Sequence, residues 1–177
     1  MNDGLKWQRV IRAAMLMIVA AVLLATRCAD AQTSPAVALQ IDGAVPNRLE
    51  LGAGELAALP RHSVSVTDEA GASATYDGVS VIELLRRAGA PLGKELKGAK
   101  LTLCVIARGF DGYRVAFALA DLDPGIGDLD VIVADRRNGK SLDSREGPLR
   151  LVVPSDKRHA RWVRGVISLS LENPRRS

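Results

Sequence analysis

Cysteine is nearly absent: Cys28 and Cys104 are the only two in 177 residues, so no disulfide framework holds this chain together. Histidine is as scarce. His62 and His159 do not make a zinc site, which usually takes about four His, Cys or carboxylate ligands, two of them at short spacing. Aromatic residues are 3% of the chain, leaving little to stack on bases, and the basic excess is small; nucleic-acid binding is excluded on both counts. The longest apolar run, Ala13 to Ala25, spans ~20 Å as a helix and falls short of the ~30 Å hydrocarbon core of a bilayer. There is no Gly-rich phosphate loop opening a helix and no Gly-x-Ser-x-Gly elbow.

What is present begins with a secretory pattern. Lys6, Arg9 and Arg12 precede that apolar run, and Ala29-Asp30-Ala31 follows it as a small-x-small cleavage site. Residues 1–31 are therefore expected to be a cleavable signal, with residues 32–177 as one mature domain; an uncleaved anchor is the alternative. No Arg-Arg pair precedes the run, so the expected route threads an unfolded chain, and the expected location is periplasmic or secreted, without a stable membrane anchor after cleavage. The leader carries four of the 24 basic and two of the 20 acidic residues, so the mature chain has a net charge of +2. Cys28 leaves with the leader. Cys104 then has no partner for an internal disulfide, and the domain must hold by packing.

Periodicity gives an α+β, β-rich chain with mixed or mostly antiparallel sheet. Strands are expected at 37–41, 62–67, 72–76, 100–107, 113–117, 129–134, 149–153 and 163–170, and a short helical turn at 54–59 that Pro60 stops. Ser80-Val81-Ile82-Glu83 reads as a capping box opening a helix whose face is Val81, Leu84, Leu85 and Ala88, ended by Gly89 and Pro91. Residues 100–107 are apolar on both faces, the pattern of a central strand, which predicts Cys104 as a buried, inert core residue.

The acidic stretch from Asp121 to Asp130 is faintly like a calcium loop, but its twelfth position is Ile132 rather than a bidentate Glu, and it reads as a solvated loop. The densest signal runs from Gly147 to Arg164. Arg150 sits on a strand, Lys157, Arg158 and His159 in a loop, and Arg161 and Arg164 at the entry to the last strand. Guanidinium forks and loop amides suit phosphate or carboxylate. A basic surface paired with the acidic loop is the equal alternative.

The segment Tyr-Asp-Gly-Val-Ser-Val-Ile-Glu-Leu-Leu-Arg-Arg-Ala-Gly at 76–89 resembles the Gly-Val-x-Leu-x-x-Leu-Leu segment of the sulfite-oxidase-type molybdopterin-binding domain. Phe110-Asp-Gly-Tyr113, Asn138-Gly-Lys-Ser-Leu142, Gly-Pro-Leu-Arg-Leu-Val-Val-Pro at 147–154 and Arg161-Trp-Val-Arg164 are similar to its later landmarks, in the same order, over residues 48–171. The resemblance implies that family's β-rich fold, and it sets Arg150, Lys157, Arg158 and Arg161 around the pterin phosphate. It also implies a molybdenum-ligating cysteine near 62–68, where this chain has His-Ser-Val-Ser-Val-Thr-Asp. Cys104 follows the helix and is in the wrong order to replace it.

Two readings follow. The first is an exported binding or interaction module on the molybdopterin-domain scaffold, without cofactor, whose partner is an anionic small molecule or a periplasmic protein. The second is a molybdopterin-dependent oxidoreductase of the sulfite oxidase type whose metal lacks the usual thiolate. An enzyme of other chemistry reusing the cleft is a third.

Overall fold

A computed structural model describes residues 38–67 and 71–174; the leader, the lead to Val37, the Asp68–Ala70 turn and the tail from Arg175 lie outside the described residues. The expected signal peptide and its cleavage site fall in that part. The described chain forms ten strands and three short α-helices: β1 (Leu39–Gly43), β2 (Leu49–Leu51), α1 (Ala53–Ala58), β3 (His62–Thr67), β4 (Ser73–Ser80), α2 (Val81–Arg87), β5 (Cys104–Gly109), β6 (Arg114–Ala118), α3 (Leu119–Leu122), β7 (Ile132–Arg137), β8 (Lys140–Ser141), β9 (Arg150–Val152) and β10 (Val166–Glu172). Three 3-10 turns, at Gly93–Glu95, Gly98–Thr102 and His159–Arg161, complete it.

The strands make two sheets. One runs β2-β1-β10-β5-β6; the other runs β3-β4-β7-β8, with β9 also on β7. Only β1 and β10 pair in parallel, and every other described pairing is antiparallel. The α+β, β-rich class is the one the sequence indicates. β9 stitches the sheets together: Leu151 N–H donates to the Val163 carbonyl at 2.8 Å, and Val166 N–H to the Leu149 carbonyl at 3.0 Å. The backbone entering β10 is therefore tied to the strand that carries Arg150.

One apolar core fills the space between. α2 buries Val81, Leu84, Leu85 and Ala88, the face that the 3.6-residue period marks, and each of its leucines is worth about 2 kcal/mol of burial. Its start differs from expectation. Ser80 makes no side-chain capping hydrogen bond; it closes β4 in register with Ile132, and the Glu83 carboxylate is engaged by Arg86 and Arg87 one turn on. A carboxylate does serve the opening of α1, where Glu55 accepts the Gly52 N–H at 2.7 Å.

The expected strand at 100–107 is corrected. Residues 98–102 coil as a 3-10 turn, Leu101 is exposed, and β5 begins only at Cys104. β5 does lie between β10 and β6, yet only one of its faces is core: Val105 and Ala107 are fully buried, while Cys104 and Ile106 are half-buried on the outer side. The expectation of a buried Cys104 fails with it. Smaller shifts put the first strand at 39–43 rather than 37–41, and the last at 166–172, since residues 163–165 join β9 instead.

Candidate functional site

Arg150 is the pivot. β9 is three residues long and buried throughout, so a guanidinium carried on it enters the interior; its side chain is 8% exposed. Glu146, four residues earlier, pairs with its Nη1 and also receives Arg137 Nη1 at 3.4 Å. The guanidinium carbon stands 5.1 Å from the Trp162 ring centroid and 5.8 Å from that of Tyr76, and the Arg137 guanidinium carbon stands 5.7 Å from the same Tyr76 centroid. Such cation–aromatic contacts stabilise a desolvated cation by about 1–2 kcal/mol.

The aromatic walls are themselves fixed. Trp162 donates its indole N–H to the Val153 carbonyl at 3.0 Å. Its ring and that of Tyr76 meet edge to face at 5.6 Å and 89°, and its face stacks on His159 at 3.8 Å and 20°. Between these groups lies a cleft of about 140 Å³, lined by Tyr76, Arg137, Glu146, Arg150, His159 and Trp162 together with the small apolar side chains of Val66, Ala72 and Ala74. Burial, opposed by the Arg150 charge and reinforced by Glu146, pushes the Tyr76 phenol above its usual range. One buried donor is left over: Arg150 Nε has no hydrogen-bond acceptor among the described residues. An unpaired buried N–H costs about 1–3 kcal/mol, which an arriving anion would recover.

Of the four cations that the sequence singles out, the cleft is lined by Arg150 alone. Arg161 ends the 159–161 turn and is held by Asp156, whose Oδ2 accepts its Nε–H at 2.9 Å; its guanidinium lies 5.0 Å over the Phe117 ring. The bonds to Asp156 raise the Arg161 pKa, and the charge of Asp121 on α3 adds to the rise. Lys157 and Arg158 are exposed on the loop between, with no ion pair among the described residues. Tyr76, Arg137, Glu146 and Trp162 escaped the sequence reading as anion-site residues. The four-residue spacing of Glu146 and Arg150 was no sign of their pairing, because Gly147 and Pro148 lie between them and the segment is not helical; Tyr76 looked like an ordinary strand residue.

Two other expectations resolve. Asp123, inside the acidic stretch, is buried and accepts the N–H groups of Gly93 at 2.6 Å and Gly125 at 2.8 Å. It is an internal fastening of that loop rather than a solvated charge. His62 pairs with Asp130 at 2.9 Å on the surface, outside the cleft.

The molybdenum cofactor implied by the resemblance meets a poor donor set. Ser63, Ser65 and Thr67 spend their hydroxyls on the cross-strand partners Asp77, Thr75 and Ser73. The lone described thiol, Cys104, belongs to the other sheet, where its Sγ lies 3.8 Å from the Glu172 carbonyl; burial and Glu172 both raise its pKa. Among the described residues no three His, Cys, Asp or Glu side chains gather into a metal site. Molybdenum favours soft thiolate, which hydroxyls do not replace, and the cleft is smaller than the ~300 Å³ at which small-molecule pockets begin. The residues present fit an anion and do not fit the metal.

Fold and cleft define a two-sheet α+β domain with an aromatic-walled guanidinium site. The sequence matches the oxidoreductase molybdopterin binding domain family over residues 25–176, and the chain belongs to that family. Among solved structures it is similar to the sulfane dehydrogenase SoxCD from Paracoccus pantotrophus, with a TM-score of 0.60 and 23% identity, over 76% of this chain and 38% of that one. The likeness is one of fold, and the chain spans little more than a third of that protein's length. No curated protein matched the chain in sequence.

Proposed function

We propose that this protein is a binding module on the molybdopterin-domain scaffold, exported by its N-terminal signal, which accepts a small oxyanion at Arg150 and carries out no molybdenum redox chemistry. The observation that carries this reading is the buried Arg150 Nε without an acceptor, in a cleft where Arg137 and Arg150 outnumber Glu146 by one charge. A cleft of about 140 Å³ suits a tetrahedral or planar oxyanion, and its small size argues against a pterin. The missing thiolate near residues 62–68 supports the same conclusion, because nothing else there is a soft donor. The absence of paired arginines in the leader adds to it, since a cofactor inserted before export needs a folded passenger.

Membership of the family favours one rival, a molybdopterin-dependent oxidoreductase whose metal is held by pterin sulfurs alone. Calorimetric titration with inorganic phosphate and sulfate tests the anion site. Wild-type protein should bind one of them, and Arg150→Met should lose at least about tenfold in affinity, the scale of one charge-assisted contact. Failure of either anion to bind wild-type protein, or equal binding by the variant, would sink the proposal.

A further inference from the structure

The outer face of the β2-β1-β10-β5-β6 sheet carries a groove of about 410 Å³, lined by Gln40, Asp42, Ile106, Arg108, Ile167, Ser168, Ser170 and Glu172. None of these residues belongs to the Arg150 cleft. We propose that this groove is a second ligand site, built for a dipeptide-sized zwitterion.

The shape follows from side-chain length. Ser168 and Ser170 give a low floor on β10, and longer side chains rise around them from the neighbouring strands. A bulge between Val166 and Ser168 leaves Ile167 without a register partner, and it stands 44% exposed as one wall. Ile106 is the apolar wall opposite. The groove is thus large enough for a small molecule, has two apolar sides, and is polar at its ends.

Charge sets the ligand's chemistry. Arg108 lies directly across from Arg114 in the β5–β6 register, and neither has an ion pair among the described residues. Like charges facing each other across a ladder are destabilising, so this end is poised for an anion. Toward the other end stand two carboxylates. Asp42 is paired with Ser170, and Glu172 with Cys104, whereas Ser168 is paired with Arg108. Asp42 already accepts from Gln40 at 2.7 Å and Ser170 at 2.6 Å, which fixes its orientation, while Glu172 has no side-chain partner among the described residues.

Length then narrows the class. β1 and β5 flank β10, so Asp42 lies two residues along and two strands across from Arg108, about 12 Å between backbones, and Glu172 four along and one across, about 14 Å. An α-amino acid, with its charges on one carbon, is too short to reach both ends even with a contact of about 3 Å at each. An extended dipeptide separates its ammonium and carboxylate by roughly two residue rises, about 7 Å. Its carboxylate meets Arg108, its ammonium lies between Asp42 and Glu172, and its side chains rest on Ile106 and Ile167.

The test is a titration of the folded protein with L-Ala-L-Ala, N-acetyl-Ala-Ala and Ala-Ala amide, read by calorimetry or by NMR shifts of β5 and β10 amides. The free dipeptide should saturate, and either cap should weaken binding by about tenfold or more, the value of a lost charge-assisted bond. Arg108→Ala should remove the penalty of capping the carboxylate, and Glu172→Gln should reduce that of capping the amine. Both residues are surface groups, and unchanged melting would show that the variants fold. Arg87→Ala, a cation lost from α2, should bind as wild type. No saturation by Ala-Ala below about 10 mM, a binding energy near ~3 kcal/mol, would overturn the proposal. So would equal binding of the capped peptides, or wild-type affinity in Arg108→Ala.

Discussion

Arg150 and Arg161 are both arginines held by a carboxylate within five residues, yet their surroundings give them different weight. Arg150 and Glu146 have side chains 8% and 17% exposed, against 37% for Arg161. Arg150→Met should cost on the order of 3 kcal/mol, because Glu146 is left buried with only the longer Arg137 contact. Adding Glu146→Gln should restore part of that loss, whereas Arg161→Ala should stay within about 1 kcal/mol. Urea denaturation of the four proteins measures all three differences. Equal costs for the two arginines would contradict the buried-pair description.

Tyr76 offers a pH signature. Its phenol is raised in the folded state, so the native protein holds that proton more tightly than the unfolded chain does. Below the ordinary tyrosine range the group makes no pH-dependent difference; as pH rises through about 10, deprotonation favours the unfolded chain and stability falls. Wild type should therefore lose more stability than Tyr76→Phe between about pH 8 and 10.5, as urea midpoints would show. A constant gap between the two proteins would refute the shift. Cys104, half-exposed with a raised thiol pKa, should react with iodoacetamide without denaturant. It should do so more slowly at neutral pH than a free thiol, and faster as pH passes the usual thiol range. Complete protection until unfolding would reinstate the buried reading.

At the level of elements, local chemistry was readable and neighbours were not. The α2 face and the Asn138-Gly139 turn follow from spacing and from left-handed geometry: both turn residues have positive φ, 51° and 75°. Residues 100–102 could not be separated from β5 in sequence, because Lys100-Leu101-Thr102-Leu103 alternates polar and apolar just as a strand would. Which face of β5 met solvent depended on whether any element covered that sheet, a tertiary fact that alternation does not encode. The same holds for the cleft. Arg150 stood out by its charge, but Tyr76, 74 positions earlier, becomes its wall only through the β4–β7–β9 ladder. The capping box did not form: two arginines hold the Glu83 carboxylate, and Ser80 is the last paired residue of β4.

Gly78 shows how tightly that ladder is drawn. It sits at the β4–β7 bulge, where a Cβ would collide with the Val133 carbonyl and stand 2.6 Å from the Ala134 Cα. Gly78→Ala must part the two strands, and the expected cost is about 2 kcal/mol or more. Gly54→Ala, with open space around it in α1, should be neutral or gain about 0.5 kcal/mol. Thermal melts of the two variants check the contrast. Equal effects would mean that the close approach is not what glycine provides at position 78.

For the whole molecule, the fold and the donor set diverge. The two-sheet architecture is that of the oxidoreductase molybdopterin binding domain family, while the position at which the resemblance implies a thiolate carries hydroxyls already bonded across the β3–β4 hairpin. A scaffold can outlast the chemistry it once housed, since core packing and metal ligation fall on different residues. The proposed function requires that this chain keep an anion site without the metal. Elemental and pterin analysis of the protein, isolated from a native host grown with ample molybdate, tests that claim most directly. The isolated protein should carry no stoichiometric molybdenum and give no pterin fluorescence after oxidation. A molybdenum-to-protein ratio near one, with oxidised-pterin fluorescence, would contradict it and make the protein an oxidoreductase.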